Sequence, residues 1–161
     1  MKKIKVFILA TLTVFLIYSS AFTDTQKRFV DNKDGTVTDT KLGLMWAQID
    51  NQGDISWNNA QQWVRYTFGY TIETQYQDWR LPTIKELRSL YVREKKYKGY
   101  ETECGMTIKI IPQITLTCGW VWSSEKTFIS YKVFSFEQGG SFPDLRDKTR
   151  AHRVLAVRKI R

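Results

Sequence analysis

Apolar residues recur at helical spacing in two stretches near the middle of the chain. The first stretch follows Ser56, a residue type that caps helices, and reaches Gly69, which would end the helix. Its apolar face consists of Trp57, Ala60, Trp63, Val64 and Phe68. A helix with one buried side is therefore predicted between Ser56 and Gly69.

The second stretch follows a helix-start signal. Thr83 and Glu86 have the spacing of a capping box, in which the Thr83 hydroxyl accepts the Glu86 N–H and the Glu86 carboxylate accepts the Thr83 N–H. Pro82 favours an extended conformation for the residue before it. The apolar positions behind the cap are Ile84, Leu87, Leu90 and Tyr91. They predict a helix from Thr83 to about residue 93.

Short apolar runs bounded by turn residues predict strands. Residues 29–30 and 36–38 flank the turn sequence Asp34-Gly35 and would form a hairpin, and residues 44–47 would add a third strand. Later strands are predicted over residues 120–123, 129–136 and 153–158. Gly139-Gly140 would turn the chain between the last two.

The order of these elements predicts the fold class. Strands lie at both ends, and the first and last are expected to pair. Residues 94–118 lack clean periodicity and are predicted to form a long loop. The chain is therefore expected to be an α+β protein with short antiparallel sheets, two helices and a long loop region.

The first 21 residues have the pattern of a secretory signal peptide. Lys2, Lys3 and Lys5 precede an apolar run over residues 6–18, and Ser19-Ser20-Ala21 supplies small residues for cleavage. The run is shorter than the roughly 20 residues of a membrane-spanning helix, so no stable membrane span is expected. An uncleaved anchor stays open. The prediction is a secreted or periplasmic protein with one domain over residues 28–161.

The chain is basic even without this segment. Cleavage would remove three lysines and no acidic residue, which lowers the formal net charge from +9 to +6. Such a charge favours acidic partners such as anionic glycans or membrane headgroups. Export argues against nucleic acid as the partner.

The two cysteines, Cys104 and Cys118, both lie in the mature part. In an oxidising compartment they are expected to form a disulfide, which would stabilise the fold by about 3 kcal/mol. A redox pair or metal ligands are the alternatives, although the spacing is not Cys-x-x-Cys.

The sequence offers little that resembles a catalytic or metal site. His152 is the one histidine, and no Gly-x-Ser-x-Gly motif is present. The turn at residues 31–35 is similar to part of a calcium loop, but Lys33 occupies a ligand position. We therefore expect no enzyme activity, no cofactor and no metal.

Several motifs resemble one known family. Asp78-Trp79-Arg80-Leu81-Pro82-Thr83, followed by Glu86-Leu87, is similar to the signature of the Lcl C-terminal domain family. Four further segments resemble family motifs in the same order: residues 31–39, 43–46, 122–124 and 157–158. Together they cover about residues 28–161.

The resemblance implies a C-type-lectin-like fold. It also implies glycan recognition, because the family's namesake domain is an adhesin module for sulfated glycosaminoglycans. The calcium-binding triplets Glu-Pro-Asn and Gln-Pro-Asp, through which many C-type lectins hold sugars, do not occur here. Val64 and Ala156 occupy positions where the family often has cysteines, so the disulfide would be particular to this chain.

Two basic clusters are the candidate binding residues. The first lies over residues 88–100, and the second runs from Arg146 to Arg161 and includes Arg153 and Arg158. Lysine and arginine donors suit sulfate and carboxylate groups, and tyrosine faces suit sugar rings. The residues predicted to bind ligand are Arg93, Lys95, Lys96, Tyr97, Lys98, Lys148 and Arg150.

Two other interpretations remain open. The clusters could be an ordinary solvated helix end and strand faces. The protein could also be a structural or assembly protein that binds an envelope protein or itself as a homo-oligomer. Whichever interpretation applies, six other residues are predicted to have a structural role: Trp46, Trp79, Arg80, Thr83, Glu86 and Trp122.

Overall fold

The computed structural model describes residues 28–72 and 76–160. The predicted signal peptide, residues 1–21, lies outside this part of the chain. The described part is an α+β fold with two α-helices, α1 (Trp57–Gln62) and α2 (Ile84–Leu90). The strands are β1 (Phe29–Asp31), β2 (Thr36–Asp39), β3 (Leu44–Ala47), β4 (Tyr100–Glu101), β5 (Thr107–Ile108), β6 (Trp120–Lys126), β7 (Tyr131–Ser135), β8 (Gly140–Asp144), β9 (His152–Arg153) and β10 (Val157–Lys159).

The first sheet has the strand order β1-β2-β3-β10, so the last strand pairs with β3 and not with β1. The prediction that the first and last strands pair is therefore wrong. All four residues of β3 are buried. A strand that is buried on both faces is typical of the interior of a sheet. β2 pairs with one edge of β3, and β10 pairs with its other edge.

The second sheet has the order β8-β7-β6-β9 and contains a strand that was not predicted. The Gly139-Gly140 turn connects β7 to β8, not to the last strand. Pro143 lies within β8 and weakens the strand pattern in the sequence. The structure accommodates this proline because β8 is an edge strand, where an amide hydrogen is not required.

The predicted strand over residues 153–158 is divided between the two sheets. β9 pairs in parallel with β6, whereas β10 pairs antiparallel with β3. Val154, Leu155 and Ala156 lie between them and are fully buried. One continuous apolar run thus connects the two sheets through the core. In the sequence, such a run looks the same as a single buried strand.

The first helix begins as predicted and buries three of its five predicted apolar positions, while Trp57 and Trp63 are half-buried. The Ser56 side chain accepts the Asn59 N–H, and Ala60, Val64 and Phe68 face the core. Beyond α1 the chain continues in a wider π-type turn over Trp63–Thr67 and a 3₁₀ turn over Phe68–Tyr70. Gly69 therefore lies inside the last turn.

The second helix has the predicted capping box, with both the Thr83 and the Glu86 hydrogen bonds present. It ends at Leu90, earlier than predicted, because Tyr91 is extended and pairs with Ile110 in an isolated bridge. This pairing stops the helix through a tertiary contact.

Residues 94–118 contain more structure than the predicted loop. They include the short hairpin β4–β5, and their backbone bonds to the body of the protein through Lys109 N–H to Phe136 O at 2.9 Å and Ile111 N–H to Leu90 O at 3.0 Å. The segment also contributes a row of core residues: Ile108, Ile110, Ile111, Ile114 and Leu116. The segment is therefore a long loop region, as predicted, but it contains one short hairpin and packs into the core.

Gly99 is required by the close approach of a backbone carbonyl. Its φ is +74°, and a Cβ built on it would lie 1.9 Å from the Ile108 oxygen. Gly105 has a similar φ of +77° but no atom within 4 Å of such a Cβ. Comparing substitutions at the two glycines therefore separates the free-energy cost of the left-handed backbone from the cost of the steric clash.

We predict that Gly99→Ala destabilises the protein more than Gly105→Ala. The left-handed conformation costs each variant about 1–2 kcal/mol, and the collision should cost Gly99→Ala about 1–3 kcal/mol more. Chemical denaturation of both variants measures the difference. Equal losses of stability would contradict the close approach at Gly99.

Glu86 gives the stability of the fold a pH dependence. Burial acts to raise its pKa, but hydrogen bonds from Arg80 and Thr83 outweigh burial and leave the pKa below the ordinary value of 4.5. The folded protein therefore binds this proton more weakly than the unfolded chain. The stabilisation is complete above pH 4.5 and is lost as the pH falls through the lowered pKa.

We predict that Glu86→Gln lowers the free energy of unfolding at pH 7 by about 1 kcal/mol or more. The difference from the wild type should shrink as the pH falls below 4.5. Denaturant titrations at several pH values measure it. The exposed Glu103→Gln variant serves as the control and should match the wild type at neutral pH. A difference that does not change with pH would contradict the assignment.

Candidate functional site

The first basic cluster lies on the chain between α2 and β4. Arg93, Lys95, Lys96 and Lys98 are exposed, and the Tyr97 N–H donates to the Glu94 oxygen at 3.1 Å. This bond closes a turn with Lys95 and Lys96 at its two central positions. We call residues 93–98 the basic turn.

Two tyrosines attach the basic turn to the protein. The Tyr97 hydroxyl donates to the Ile110 oxygen at 2.9 Å. The Tyr100 hydroxyl donates to the Leu116 oxygen at 3.1 Å and accepts the Leu116 N–H at 2.7 Å. Burial raises the pKa of both tyrosines, so their hydroxyls stay protonated at neutral pH and keep these donors. Their contacts are with the protein, which makes them supports for the cations of the basic turn.

The disulfide lies beside the same region. Cys104 and Cys118 are bonded, with their Cα atoms 5.5 Å apart, as predicted. The bond joins the β4–β5 hairpin to the chain just before β6.

Within residues 28–72 and 76–160, no group of three or more His, Cys, Asp or Glu side chains could hold a metal ion.

The second basic cluster is smaller than the sequence suggested. Arg146, Lys148 and Arg150 are exposed between β8 and β9. Two hydrogen bonds fix this segment near the start of α1: Trp57 N–H donates to the Arg146 backbone oxygen at 2.9 Å, and Ala151 N–H donates to the side-chain Oδ1 of Asp54 at 3.1 Å.

Arg153 and Arg158, which belong to this cluster along the sequence, are buried and paired with acids. Arg153 is 7% exposed and its Nη1 lies 2.6 Å from Asp54 Oδ1. Arg158 is 8% exposed and its Nε lies 3.0 Å from Asp78 Oδ1. Both arginines therefore stabilise the fold and are removed from the candidate binding surface. Their charges are visible in the sequence, but their carboxylate partners are distant in it.

Asp50 completes the buried charge network around Arg153. Its Oδ2 accepts the Thr117 N–H at 2.7 Å, and its Oδ1 accepts the Gln52 N–H at 2.8 Å. Burial raises the pKa of Asp50, while the hydrogen bonds from Thr117 and Gln52 and the charge of Arg153 act in the opposite direction. The carboxylate is fully buried and acts as a structural acceptor.

The two basic clusters lie at opposite ends of β8. Tyr91, just before the basic turn, packs so closely against Gly139 that a Cβ there would lie 2.5 Å from its ring. The second cluster begins after Asp144, at the other end of the strand. Five strand residues span about 13 Å. Each cluster is therefore a separate surface.

His152 is enclosed by the fold. It is 5% exposed, its ring centroid lies 4.6 Å from that of Trp122, and its Nδ1 lies 2.8 Å from the Arg150 oxygen. Its Nε2 is 3.1 Å from Asp144 Oδ2. The Nδ1 contact orients the ring, whereas Nε2 is buried and has no hydrogen bond of good geometry to any described residue.

The similarity to a known protein family extends over most of the described residues. The family model described as Lcl C-terminal domain matches residues 35–158. This chain belongs to the Lcl C-terminal domain family. No curated protein matches it at a significant level.

In this Lcl C-terminal domain the signature residues build the centre of the fold. Trp46 and Trp122 are fully buried and Trp79 nearly so. Arg80 bonds to both oxygens of Glu86, at 2.9 and 2.7 Å. The remaining tryptophans, Trp57, Trp63 and Trp120, are half-buried and pack against the same core. These signature residues therefore form part of the scaffold, and the candidate binding residues lie among the exposed positions.

One exposed feature, at the turn between β6 and β7, was not predicted from the sequence. Ile129 was predicted inside a strand, but β7 begins at Tyr131 and both Phe128 and Ile129 project into solvent. The available signal was the pair of apolar residues between Thr127 and Ser130, two residue types that favour turns.

Within the described ranges, no helix is long and apolar enough to cross a bilayer.

The disulfide gives a prediction for the region that holds the basic turn. Replacing Cys104 and Cys118 together with serine should lower the free energy of unfolding by about 3 kcal/mol, because the unfolded chain loses its constraint. Denaturation with and without reductant measures this. Reductant should lower the stability of the wild type to that of the variant and leave the variant unchanged; a response of the variant to reductant would contradict the prediction.

Proposed function

We propose that this Lcl C-terminal domain is an exported, non-enzymatic module that binds anionic glycans, either sulfated or carboxylated, through the basic turn. The fold we propose in finer detail is C-type-lectin-like, which rests on the family resemblance. Export rests on the signal-peptide pattern of residues 1–21. The disulfide is consistent with an oxidising compartment such as the periplasm or the cell exterior.

The observation that carries the proposal is the contrast between two kinds of cation. Arg28, Arg80, Arg153 and Arg158 are each paired with a carboxylate of the fold. Among the described residues, no ion pair joins Arg93, Lys95 or Lys98 to an acid, and all three are exposed. Charges that the fold does not use remain available to an acidic ligand.

The geometry of the turn supports charge-assisted binding without turnover. A tight turn with two central lysines places several ammonium groups on one convex surface. The tyrosine hydroxyl bonds and the disulfide restrict its backbone, so less conformational entropy is lost when a ligand binds. Sulfate and carboxylate groups would accept hydrogen bonds from the lysines and from the Arg93 guanidinium. Lys148 and Arg150 would form a second contact area.

The non-enzymatic character is supported by the enclosure of the one histidine. His152 is 5% exposed, stacks on Trp122, and contacts the Arg150 oxygen through Nδ1. A general base must reach a substrate proton within hydrogen-bond distance, and this ring has no open side for one.

We predict that the mature protein, residues 22–161, elutes later from immobilised heparin than from a sulfonate resin of matched charge density. Changing Lys95, Lys96 and Lys98 to Ala should weaken heparin binding by about tenfold or more, which requires only about 0.5 kcal/mol for each lost contact. Salt should weaken the wild-type interaction, because it screens exposed charges.

A matched triple variant controls for net charge. Lys41, Lys85 and Lys159 are also exposed, and changing them to Ala removes the same charge elsewhere on the surface. This variant should bind heparin as the wild type does. Equal losses in both triple variants, or equal elution from the two resins, would refute a specific site at the basic turn.

The alternative is a structural or assembly protein of the envelope that binds a protein partner or a second copy. Such an association through apolar surface would persist or strengthen with salt. Sedimentation at low and high salt, in the absence of glycan, distinguishes it from charge-driven binding.

A further inference from the structure

The turn between β6 and β7 holds two large apolar side chains in solvent. Phe128 is 103% exposed and Ile129 is 80% exposed. The turn itself is ordered by hydrogen bonds: Thr127 N–H donates to the Ser130 oxygen at 2.7 Å, and Ser130 N–H donates to Thr127 Oγ1 at 3.1 Å. The exposure is therefore a property of a well-formed hairpin.

A third apolar side chain lies beside this turn. Tyr131 of β7 pairs with Asp144 of β8, so Leu145, the next residue, reaches the same end of the sheet and is 56% exposed. It lines a concavity of about 700 Å³ together with Phe128 and Ile129. We call these three residues the apolar tip. Single exposed apolar side chains are common, but a contiguous group usually marks an interaction site.

Cations surround the apolar tip. Lys126 and Arg146 line the same concavity, and Lys148 and Arg150 follow on the adjoining segment. Asp147 also lines the concavity and is the one acidic residue between Leu145 and Arg150. Among the described residues, no ion pair involves Lys126 or Arg146. The tip is thus apolar at its end and positively charged around its base.

Two amphipathic aromatic rings lie behind the tip. Trp57 and Tyr131 pack with their ring centroids 4.2 Å apart, and the Trp57 indole N–H donates to the Ser123 oxygen at 2.8 Å. Tyr131 lines the concavity. Tryptophan and tyrosine favour the boundary between apolar and aqueous phases because one part of the ring is apolar and another is polar.

We infer that the apolar tip is a membrane-contact site that inserts into the surface of an anionic phospholipid bilayer. Phe128, Ile129 and Leu145 would enter the boundary between headgroups and acyl chains, and Lys126 and Arg146 would contact the phosphates. Charge complementarity selects anionic over zwitterionic lipid. A fluid bilayer also accepts a projecting tip without a matching pocket, whereas a stable protein interface buries about 800 Å² on each partner.

This site is distinct from the basic turn, the main part of the proposed glycan site, although Lys148 and Arg150 of the second contact area adjoin it. The basic turn lies near Gly139, at one end of β8, and the apolar tip lies near Asp144, at the other end. A protein bound to a membrane by its tip would still present the basic turn to solvent. The inference stands on the tip alone, so that glycan binding and membrane contact can fail independently.

The test is co-sedimentation of the mature protein with vesicles. One set is pure phosphatidylcholine, and the other is equimolar phosphatidylcholine and phosphatidylglycerol. We expect binding to the anionic vesicles and little binding to the zwitterionic ones. Changing Phe128 and Ile129 together to Ser should weaken binding by about tenfold or more, because two apolar insertions are lost. Changing Lys126 and Arg146 together to Gln should also weaken it.

Two controls make the result specific. Tyr70 is 87% exposed on another part of the surface, and Tyr70→Ser should bind vesicles like the wild type. The variant with Lys95, Lys96 and Lys98 changed to Ala should also retain vesicle binding, which separates this site from the basic turn. All substituted side chains are exposed, and circular dichroism verifies that each variant is folded.

Three outcomes would overturn the inference. The first is wild-type protein that does not sediment with anionic vesicles. The second is a Phe128→Ser, Ile129→Ser variant that binds them as tightly as the wild type, which would reduce the interaction to charge alone. The third is self-association of the wild type that the same variant abolishes, which would make a second copy of the chain the occupant of the tip.

Discussion

The pairing of Arg80 with Glu86 is the contact on which the rest of the fold depends. The Glu86 carboxylate accepts hydrogen bonds from both terminal guanidinium nitrogens of Arg80 and, at 2.7 Å, from the backbone N–H of Thr83. The carboxylate therefore fixes the start of α2 and the preceding chain at once. The backbone of Arg80 in turn exchanges two hydrogen bonds with Val157 of β10, at 2.9 and 3.1 Å. Through one side-chain pair, the helix start and the last strand are held together, and the last strand completes the first sheet. Because the pair is only partly exposed, solvent weakens it less than a surface ion pair.

The fold separates its basic residues into two groups with different roles. Guanidinium groups are planar and can donate several hydrogen bonds in a fixed geometry, which makes them suitable for partly buried pairs with carboxylates. Arg153 and Arg158 are used in this way, against Asp54 and Asp78. The lysines of the basic turn remain in solvent. Net charge therefore overstates the surface available to an acidic ligand, and the proposal for glycan binding concerns one short segment, not the whole basic surface.

Signals that act within a few residues were sufficient to predict several elements. The Ser56 cap, the capping box and the first hairpin each depend on hydrogen bonds or turn preferences of neighbouring residues. The disulfide was predicted from the cysteine count and the signal-peptide pattern, and the structure contains it. The binding cations were also visible as a run of charges. Their surroundings were not, because the anchoring of Tyr97 to Ile110 joins residues that no local pattern connects.

The sequence by itself determined where helices and hairpins start, which family signature the chain carries and which charges stand in clusters. The tertiary structure alone decided that the run ending in Val157 serves two sheets, that residues 107–116 enter the core and that Arg153 is buried. It also decided that Phe128 is exposed. The physical reason is that an apolar or charged side chain has a preference for its surroundings but not for a partner. The choice of partner depends on which distant segments the completed sheets bring into contact, and a single sequence does not encode that choice locally.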